Sequence, residues 1–280
     1  MSRQSENYQT LKAMHASAGA FVMPNPWDAG SAKLLAAMGF QALATTSAGY
    51  AFSAGKRDGE AGLSRAEVLE NARAIVAAVD LPVTADLEDG FGSAPEACSE
   101  TVRQACAVGL VGGSIEDATG DAATPIYDFD LAVERVRAAA ETARDLPFLL
   151  TARAEGHLHG RDDLNDTIRR LQAFAEAGAD VLYAPGLPDL DAIARVCREV
   201  EKPVNVVMGL RPPYFTVAQL ADVGVKRISV GGSFARAAWG GLQTAARMVL
   251  EEGRFDYAEA AMPGAEIAAV LDAGGIVDRS

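Results

Sequence analysis

The sequence predicts a (β/α)8 barrel. Eight short apolar runs of β type follow one another along the chain, a helical pattern separates each from the next, and polar residues gather where the runs end. At 280 residues the chain is long for an ordinary domain but normal for one barrel. It is therefore read as a single domain over 1–280, with a C-terminal helical extension from about 234 to 280. The runs are "AFVMPN" (20–25), "QALATTS" (41–47), "PVTADLE" (82–88), "GGSIED" (112–117), "PFLLTARAE" (147–155), "DVLYAPG" (180–186), "PVNVVMG" (203–209) and "RISVGGS" (227–233). Between them stand helices such as "SRAEVLENARAIVAAV", whose apolar residues recur at helical spacing behind a Ser64 cap. "DLNDTIRRLQAFAEAG" begins with cap-forming residues and ends at Gly178. Strands that alternate with helices pair in parallel, and eight close a barrel. The alternative is an open Rossmann-like sheet, but no G-x-G-x-x-G follows the first run. After the eighth run come "FARAAWGGLQTAARMVLEEG" and "FDYAEAAMPGAEIAAVLDAGG", more helix than one barrel needs. The second is broken at Pro263-Gly264, so Met262, Ile267, Ala268, Val270 and Leu271 need a partner surface.

Hydrophobic residues make up 49% and charged residues 22%, a globular composition. A net charge of −13 excludes nucleic acid and anionic membrane as partners, since both require a basic face. A small anionic substrate is compatible with it, given an arginine or metal within the site. Cys98, Cys106 and Cys197 show no metal-ligand spacing. Cys98 and Cys106 lie eight residues apart on one predicted helix, too far for a bridge, and all three are read as reduced, packed thiols. The first residues, "MSRQSENYQTLKAMH", hold no apolar signal core, and no run approaches membrane-spanning length. The expectation is a cytoplasmic protein.

The densest polar stretch is "TADLEDGFG" (84–92), where Asp86, Glu88 and Asp89 stand at a strand end before a glycine turn. Carboxylates are poor strand formers and costly to bury. Alternation puts Asp86 and Glu88 on one face with Asp89 in the turn, and Glu116 points into the same mouth from the next strand. Asn25, Ser47, Asp117, Arg153, Glu155 and Asn205 complete the strand ends. Taken singly, such carboxylates could as well cap helices or pair with arginines. Together they call for a cation, and an oxygen-only set suits Mg²⁺ or Mn²⁺.

Other candidates carry less. "SVGGSFAR" (229–236) reads either as a phosphate cup at a helix N-terminus or as close strand–helix packing. His157 and His159 fall past a strand end, in a loop, and are read as solvated or lid residues, and His15 as a surface residue. Neither G-x-S-x-G nor H-E-x-x-H occurs.

These residues resemble the isocitrate lyase/phosphoenolpyruvate mutase superfamily, through "NPWDAGSAKLLAAMGFQALATTSAGYA", "TADLEDGFG", "GGSIEDA", "LLTARAE", "GADVLYAPG", "KPVNVV" and "GVKRISVGGSFAR" in order. The resemblance implies a barrel with a helix swapped between subunits, a Mg²⁺ site and α-oxyacid chemistry. The D-x-[DE]-x-G-[YF]-G motif falls on Asp86, Glu88, Gly90 and Gly92, the I-E-D motif on Glu116 and Asp117, and the A-R-T-D motif on Arg153 with Glu155 last. The oxyanion loop looks like Ser47-Ala48-Gly49. The P-D aspartate looks like Asp58, after Arg57 rather than proline, and the asparagine near the seventh strand is Asn205. The K-[KR]-C-G-H loop of the lyases is absent, since "ATGDAATPIYDFDL" holds no cysteine, lysine or histidine.

The implied assignment has Asp86, Glu88 and Glu116 at the metal; Asp58, Arg153 and Glu116 in catalysis; and Ser47, Ala48, Gly49, Arg153 and Asn205 at the substrate. The implied reaction is Mg²⁺-dependent cleavage of a C–C or P–C bond in a small 2-oxo or 2-hydroxy carboxylate through an enolate-like intermediate, with oxaloacetate or phosphonopyruvate as substrate type. Activity of the 2-methylisocitrate or isocitrate lyase kind is one alternative, a catalytically idle 2-oxoacid-binding barrel a second, and a metal-free phosphate-dependent barrel a third. The partner expected beyond the small acid is a second copy of the chain, in a homodimer or homotetramer.

Overall fold

The computed structural model describes residues 2–59 and 62–273. Its elements are α1 (Arg3–Ala16), β1 (Phe21–Met23), α2 (Ala29–Ala37), β2 (Leu43–Ala44), α3 (Ser47–Ser53), α4 (Arg65–Ala78), β3 (Val83–Asp86), α5 (Pro95–Ala107), β4 (Gly112–Glu116) and α6 (Phe129–Ala143). There follow β5 (Leu149–Arg153), α7 (Leu164–Glu176), β6 (Val181–Tyr183), α8 (Leu190–Glu199), β7 (Val204–Val207), α9 (Val217–Asp222), β8 (Arg227–Ser229), α10 (Ser233–Arg247) and α11 (Gly264–Ala273). All strand pairings are parallel, in the order β1-β8-β7-β6-β5-β4-β3-β2. The Ala44 N–H donates to Pro24 O at 3.0 Å and joins the two ends of the sheet. The fold is a (β/α)8 barrel, not an open sheet.

Every predicted run contains a strand, each shorter than its run because the run's last residues turn into the loop or helix above it. In "QALATTS" only Leu43–Ala44 is strand; Thr46 caps α3, its Oγ1 accepting from the Gly49 N–H at 3.2 Å. Ser64 and Glu67 form a capping box on α4. Asp163 caps α7, and Gly178 at φ +111° ends that helix in a conformation that favours glycine. The buried faces of α4 to α8 enclose the strands in one continuous core.

The sequence reading did not anticipate α1. It lays Leu11 against Met23, Ala42, Val111 and Leu149 under the N-terminal end of the barrel. His15 belongs to this closure, which corrects its reading as a surface residue. Its ring meets Phe21 edge-on at 5.1 Å, Nδ1 donates to Leu11 O at 2.9 Å, and Nε2 is buried without a partner among the described residues. Burial pulls its pKa down to about 4.

Cys98 and Cys106 are buried on α5 and Cys197 half-buried on α8, as free thiols. Beyond β8, α10 buries only Ala235 and continues as a wide helical turn over Met248–Glu252. Helix α11 buries Val270 and packs on α2, with Lys33 Nζ donating to Leu271 O at 2.8 Å. The last residues of the predicted extension, 274–280, lie outside the described residues. No helix among the described residues is long and apolar enough to cross a membrane.

Candidate active site

The C-terminal strand ends open into a cavity of about 1250 Å³, lined among others by Ser47, Asp58, Asp86, Glu88, Glu116 and Arg153. Arg153, the last residue of β5, is its hub. Nη1 donates to Asp86 Oδ1 at 2.8 Å, Nη2 pairs with Glu116 Oε2 at 3.1 Å, and Nε donates to Glu155 Oε1 at 2.8 Å. The guanidinium also lies 5.0 Å from the Tyr183 ring. Burial alone would weaken its charge, but Glu116, Glu155 and Asp86 hold its pKa well above the usual value. One cation thus faces three carboxylates. Glu116 answers with a pKa pushed well above the carboxylate range, first by burial and then by Glu155, Asp86 and Glu88, against the pull of Arg153.

Asp86 is fixed from several sides. Ser47 Oγ donates to Oδ2 at 2.8 Å, and the Asp86 N–H donates to Thr45 Oγ1 at 3.2 Å. Ser47 Oγ also lies 3.3 Å from Asp58 Oδ1, which draws Asp58 into the cluster. Burial and then the Asp86 charge raise the Asp58 pKa.

Glu88 reaches the mouth by a route other than strand alternation. Strand β3 stops at Asp86, and Glu88 takes a left-handed φ of 49°, as does Phe91 at 60°. Such values are uncommon outside glycine and hold only where neighbours fix them. Several do: Glu116 N–H donates to Glu88 O at 3.0 Å, Thr101 Oγ1 donates to Gly90 O at 2.7 Å, and Arg135 donates to Asp89 O and Gly92 O. Asp89 is turned away to accept from the Phe91 N–H and the Tyr127 hydroxyl. Burial, then Asp86, Asp58 and Asp89, push Glu88 up to about 7.

Other assigned residues are placed differently from expectation. Ser47, Ala48 and Gly49 form the first turn of α3 rather than a loop, and the Gly49 amide is already taken by Thr46. Gly49 is itself buried, where a Cβ would stand 2.7 Å from Thr46 Cγ2. Asn205 lies below the mouth, accepting from Arg227 Nε at 2.8 Å and donating to Ser229 Oγ at 3.1 Å. Asp117 holds the architecture, accepting from the Glu155 N–H at 2.8 Å and pairing with Arg170 at 3.1 Å. His157 is buried in a 3-10 turn while His159 is exposed, so only His159 is solvated as predicted. Among the described residues, no three His, Cys, Asp or Glu side chains stand together as a ready-made metal set. Arg153 occupies the space between Asp86 and Glu116. Sequence reasoning missed Arg227, Thr45, Ser114 and Tyr183, whose signal was only that they alternate with apolar residues or stand near strand ends.

The profile of the phosphoenolpyruvate phosphomutase family matches residues 11–250. The chain belongs to that family. A provisional lyase/mutase of Burkholderia cenocepacia J2315 has a crystal structure 53% identical to it, at a TM-score of 0.95, covering 98% of this chain and 99% of that one. The 2-methylisocitrate lyase of Aeropyrum pernix is 28% identical over 244 residues, 83% of this chain and 76% of its own length. The oxaloacetate decarboxylase of Chromohalobacter salexigens is 26% identical over 227 residues, 79% and 77% of the two chains. The family sits in the isocitrate lyase/phosphoenolpyruvate mutase superfamily of lyases and mutases, and this chain is an enzyme of that group, which cleaves C–C or P–C bonds in small acids.

Proposed function

We propose that the enzyme cleaves a C–C or P–C bond beside the oxygen-bearing carbon of a small 2-oxo or 2-hydroxy carboxylate with Mg²⁺ or Mn²⁺ bound, an oxaloacetate- or phosphonopyruvate-type acid being the substrate. The observation that carries this is the carboxylate surplus around Arg153. The donors are all oxygens, and Glu88 rises to about 7 because it sits desolvated among Asp86, Asp58 and Asp89. A hard divalent ion fits that chemistry. Asp86 would hold the ion directly, and Glu88 and Glu116 through water, in keeping with the lack of a three-residue ligand set. Asp86 Oδ1 is crowded by Arg153 and, at longer range, by the Glu88 N–H and the Ser114 hydroxyl, but Oδ2 accepts only from Ser47 and keeps a lone pair free. When bound, the ion supplies positive charge to the substrate's carboxylate and C2 oxygen.

The chain's own groups do the rest. Bond cleavage leaves an electron pair that spreads onto the C2 oxygen as an enolate-like anion. Arg153 places fixed positive charge at that position without having to reorganise. Burial among carboxylates raises the proton affinity of Glu116, which suits it to deliver a proton to C3, the carbon that keeps the electron pair. Asp58, through Ser47, orients the group or water opposite Asp86. The 2-methylisocitrate lyase relative favours that reaction as a second reading, but residues 118–128 offer no cysteine acid. Turnover of oxaloacetate, phosphonopyruvate and 2-methylisocitrate, with Mg²⁺ and with EDTA, separates the readings. Activity that survives chelation would overturn the metal-dependent one.

The same reading includes assembly. Helix α10 and its continuation leave Leu242 67%, Leu250 84% and Phe255 66% exposed, more apolar surface than a lone domain usually presents. A second copy of the chain covers it, giving a homodimer or homotetramer with exchanged C-terminal helices. Replacing Leu242 and Leu250 by glutamate, or removing residues 254–280 with Phe255 among them, lowers the mass seen by light scattering; a full-length monomer at micromolar concentration would refute this.

A further inference from the structure

Below the carboxylate cluster lies a second charge with the opposite problem. Arg227 opens β8 and is only 7% exposed, yet it lines the cavity together with Thr151, Asn205 and Ser229. Its Nε donates to Asn205 Oδ1 at 2.8 Å and its Nη2 to Thr151 Oγ1 at 3.1 Å. Both acceptors are neutral. Among the described residues no carboxylate pairs with it, and Nη1 has no hydrogen-bond partner. The cavity's carboxylates Asp86, Glu116 and Glu155 are engaged by Arg153 instead.

A buried guanidinium without a counter-charge is expensive, and it persists where something outside the fold supplies the missing anion. Burial does not neutralise it. Its pKa falls only to about 10, so it is a cation at neutral pH. A ligand is the natural source, because the cavity leads from the mouth to this floor and Thr151, Ser229 and Asn205 offer further polar atoms around the same spot.

We infer that Arg227 is an anion-binding residue at the floor of the cavity and takes a carboxylate group of the substrate acid. The inference rests on the 2-oxo or 2-hydroxy acid reading above and adds a residue and a depth to it. The acid spans two charged levels, with one end at Arg153 and Asp86 and one carboxylate reaching down to Arg227. Substrates with a neutral group in place of that carboxylate bind less well, since they leave the buried charge unpaired.

Asn205 provides the test. Asn205→Asp puts a carboxylate where Arg227 Nε already donates, and Ser229 can turn its hydroxyl to donate instead of accept. The built-in counter-ion should raise the melting temperature of the ligand-free protein. It should also weaken binding of malate, a 2-hydroxy acid with two carboxylates used as the probe in calorimetric titration, at least about tenfold, since the anion's role has been filled. In an Arg227→Met background the same Asn205→Asp change should no longer stabilise, a coupling that a purely structural asparagine would not show. Should Arg227→Met fail to fold, the single Asn205→Asp variant still decides. If it is no more stable than wild type, or binds malate as wild type does, the floor site is wrong. Wild type that does not bind malate overturns it too. Turnover in the Mg²⁺ and EDTA assay is read separately, so the proposed reaction can survive the loss of this inference.

Discussion

At the N-terminal end of the barrel, Leu11 and Met23 are completely buried against Ala42, Val111 and Leu149, and the imidazole of His15 is kept neutral. At the C-terminal end the same strands finish in Asp86, Glu116 and Arg153, with Glu88 and Phe91 held at positive φ and the carboxyl groups of Asp58, Glu88 and Glu116 raised in pKa. One end removes charge and seals itself with an extra helix; the other accumulates charge and stays open. On the proposed reading, one end is tuned for stability and the other gives up stability to hold reactive groups ready. Substitutions should accordingly separate: bottom-face changes read out in melting, mouth changes in turnover.

The largest stability effect expected is at the bottom. Leu11→Ala should cost about 2–5 kcal/mol in chemical denaturation, because it leaves a cavity under the strands. Turnover per folded molecule should stay within about twofold, since no chemistry is routed through α1. A large fall in turnover with unchanged stability would blur the comparison between the ends.

The next effect depends on pH. The folded-state pKa of His15 lies near 4, below its ordinary 6.5, so the unfolded chain binds the extra proton first. Stability from this residue is fully present above pH 6.5 and is lost as pH falls toward 4, by at most about 3 kcal/mol. His15→Phe should flatten that part of the stability–pH curve while preserving the contact with Phe21. A curve unchanged by the substitution would mean the ring is not held neutral.

The smallest effect is at the thiols. Replacing Cys98, Cys106 and Cys197 together by alanine should leave turnover near normal and lower stability modestly, as expected for packing residues. A folded triple variant without turnover would bring back a cysteine acid and the lyase reading with it.

The two ends were unequally legible in the sequence. Eight β-type runs in alternation with capped helices define the barrel, since parallel pairing leaves few other ways to bury them. Asp86, Glu116 and Arg153 are legible because charged residues at the ends of apolar runs have no structural reason to gather on one rim. Glu88 was placed at the rim on the wrong grounds: Leu87 turns out of the strand, and a left-handed residue, not alternation, carries the side chain there. The sequence reading overlooked α1 because "RQSENYQTLKAMHA" is mostly polar, and only Leu11 is fully buried from it. The Arg227 floor was missed for a related reason. An arginine at the start of a run looks like a boundary residue until the strand register turns it inward beside Asn205. Such residues are decided by long-range packing, which local periodicity does not contain.

The central claim is that the acidic mouth works through a divalent ion held by Asp86. Its most direct test is Mg²⁺ titration of turnover for wild type and for Asp86→Asn, which keeps the shape and removes the charge. The account predicts saturable activation of wild type after chelator treatment. For Asp86→Asn it predicts at least about a thousandfold lower turnover at any Mg²⁺ concentration, with the protein still folded. Wild-type turnover by Asp86→Asn at saturating substrate, or turnover indifferent to EDTA, would contradict it.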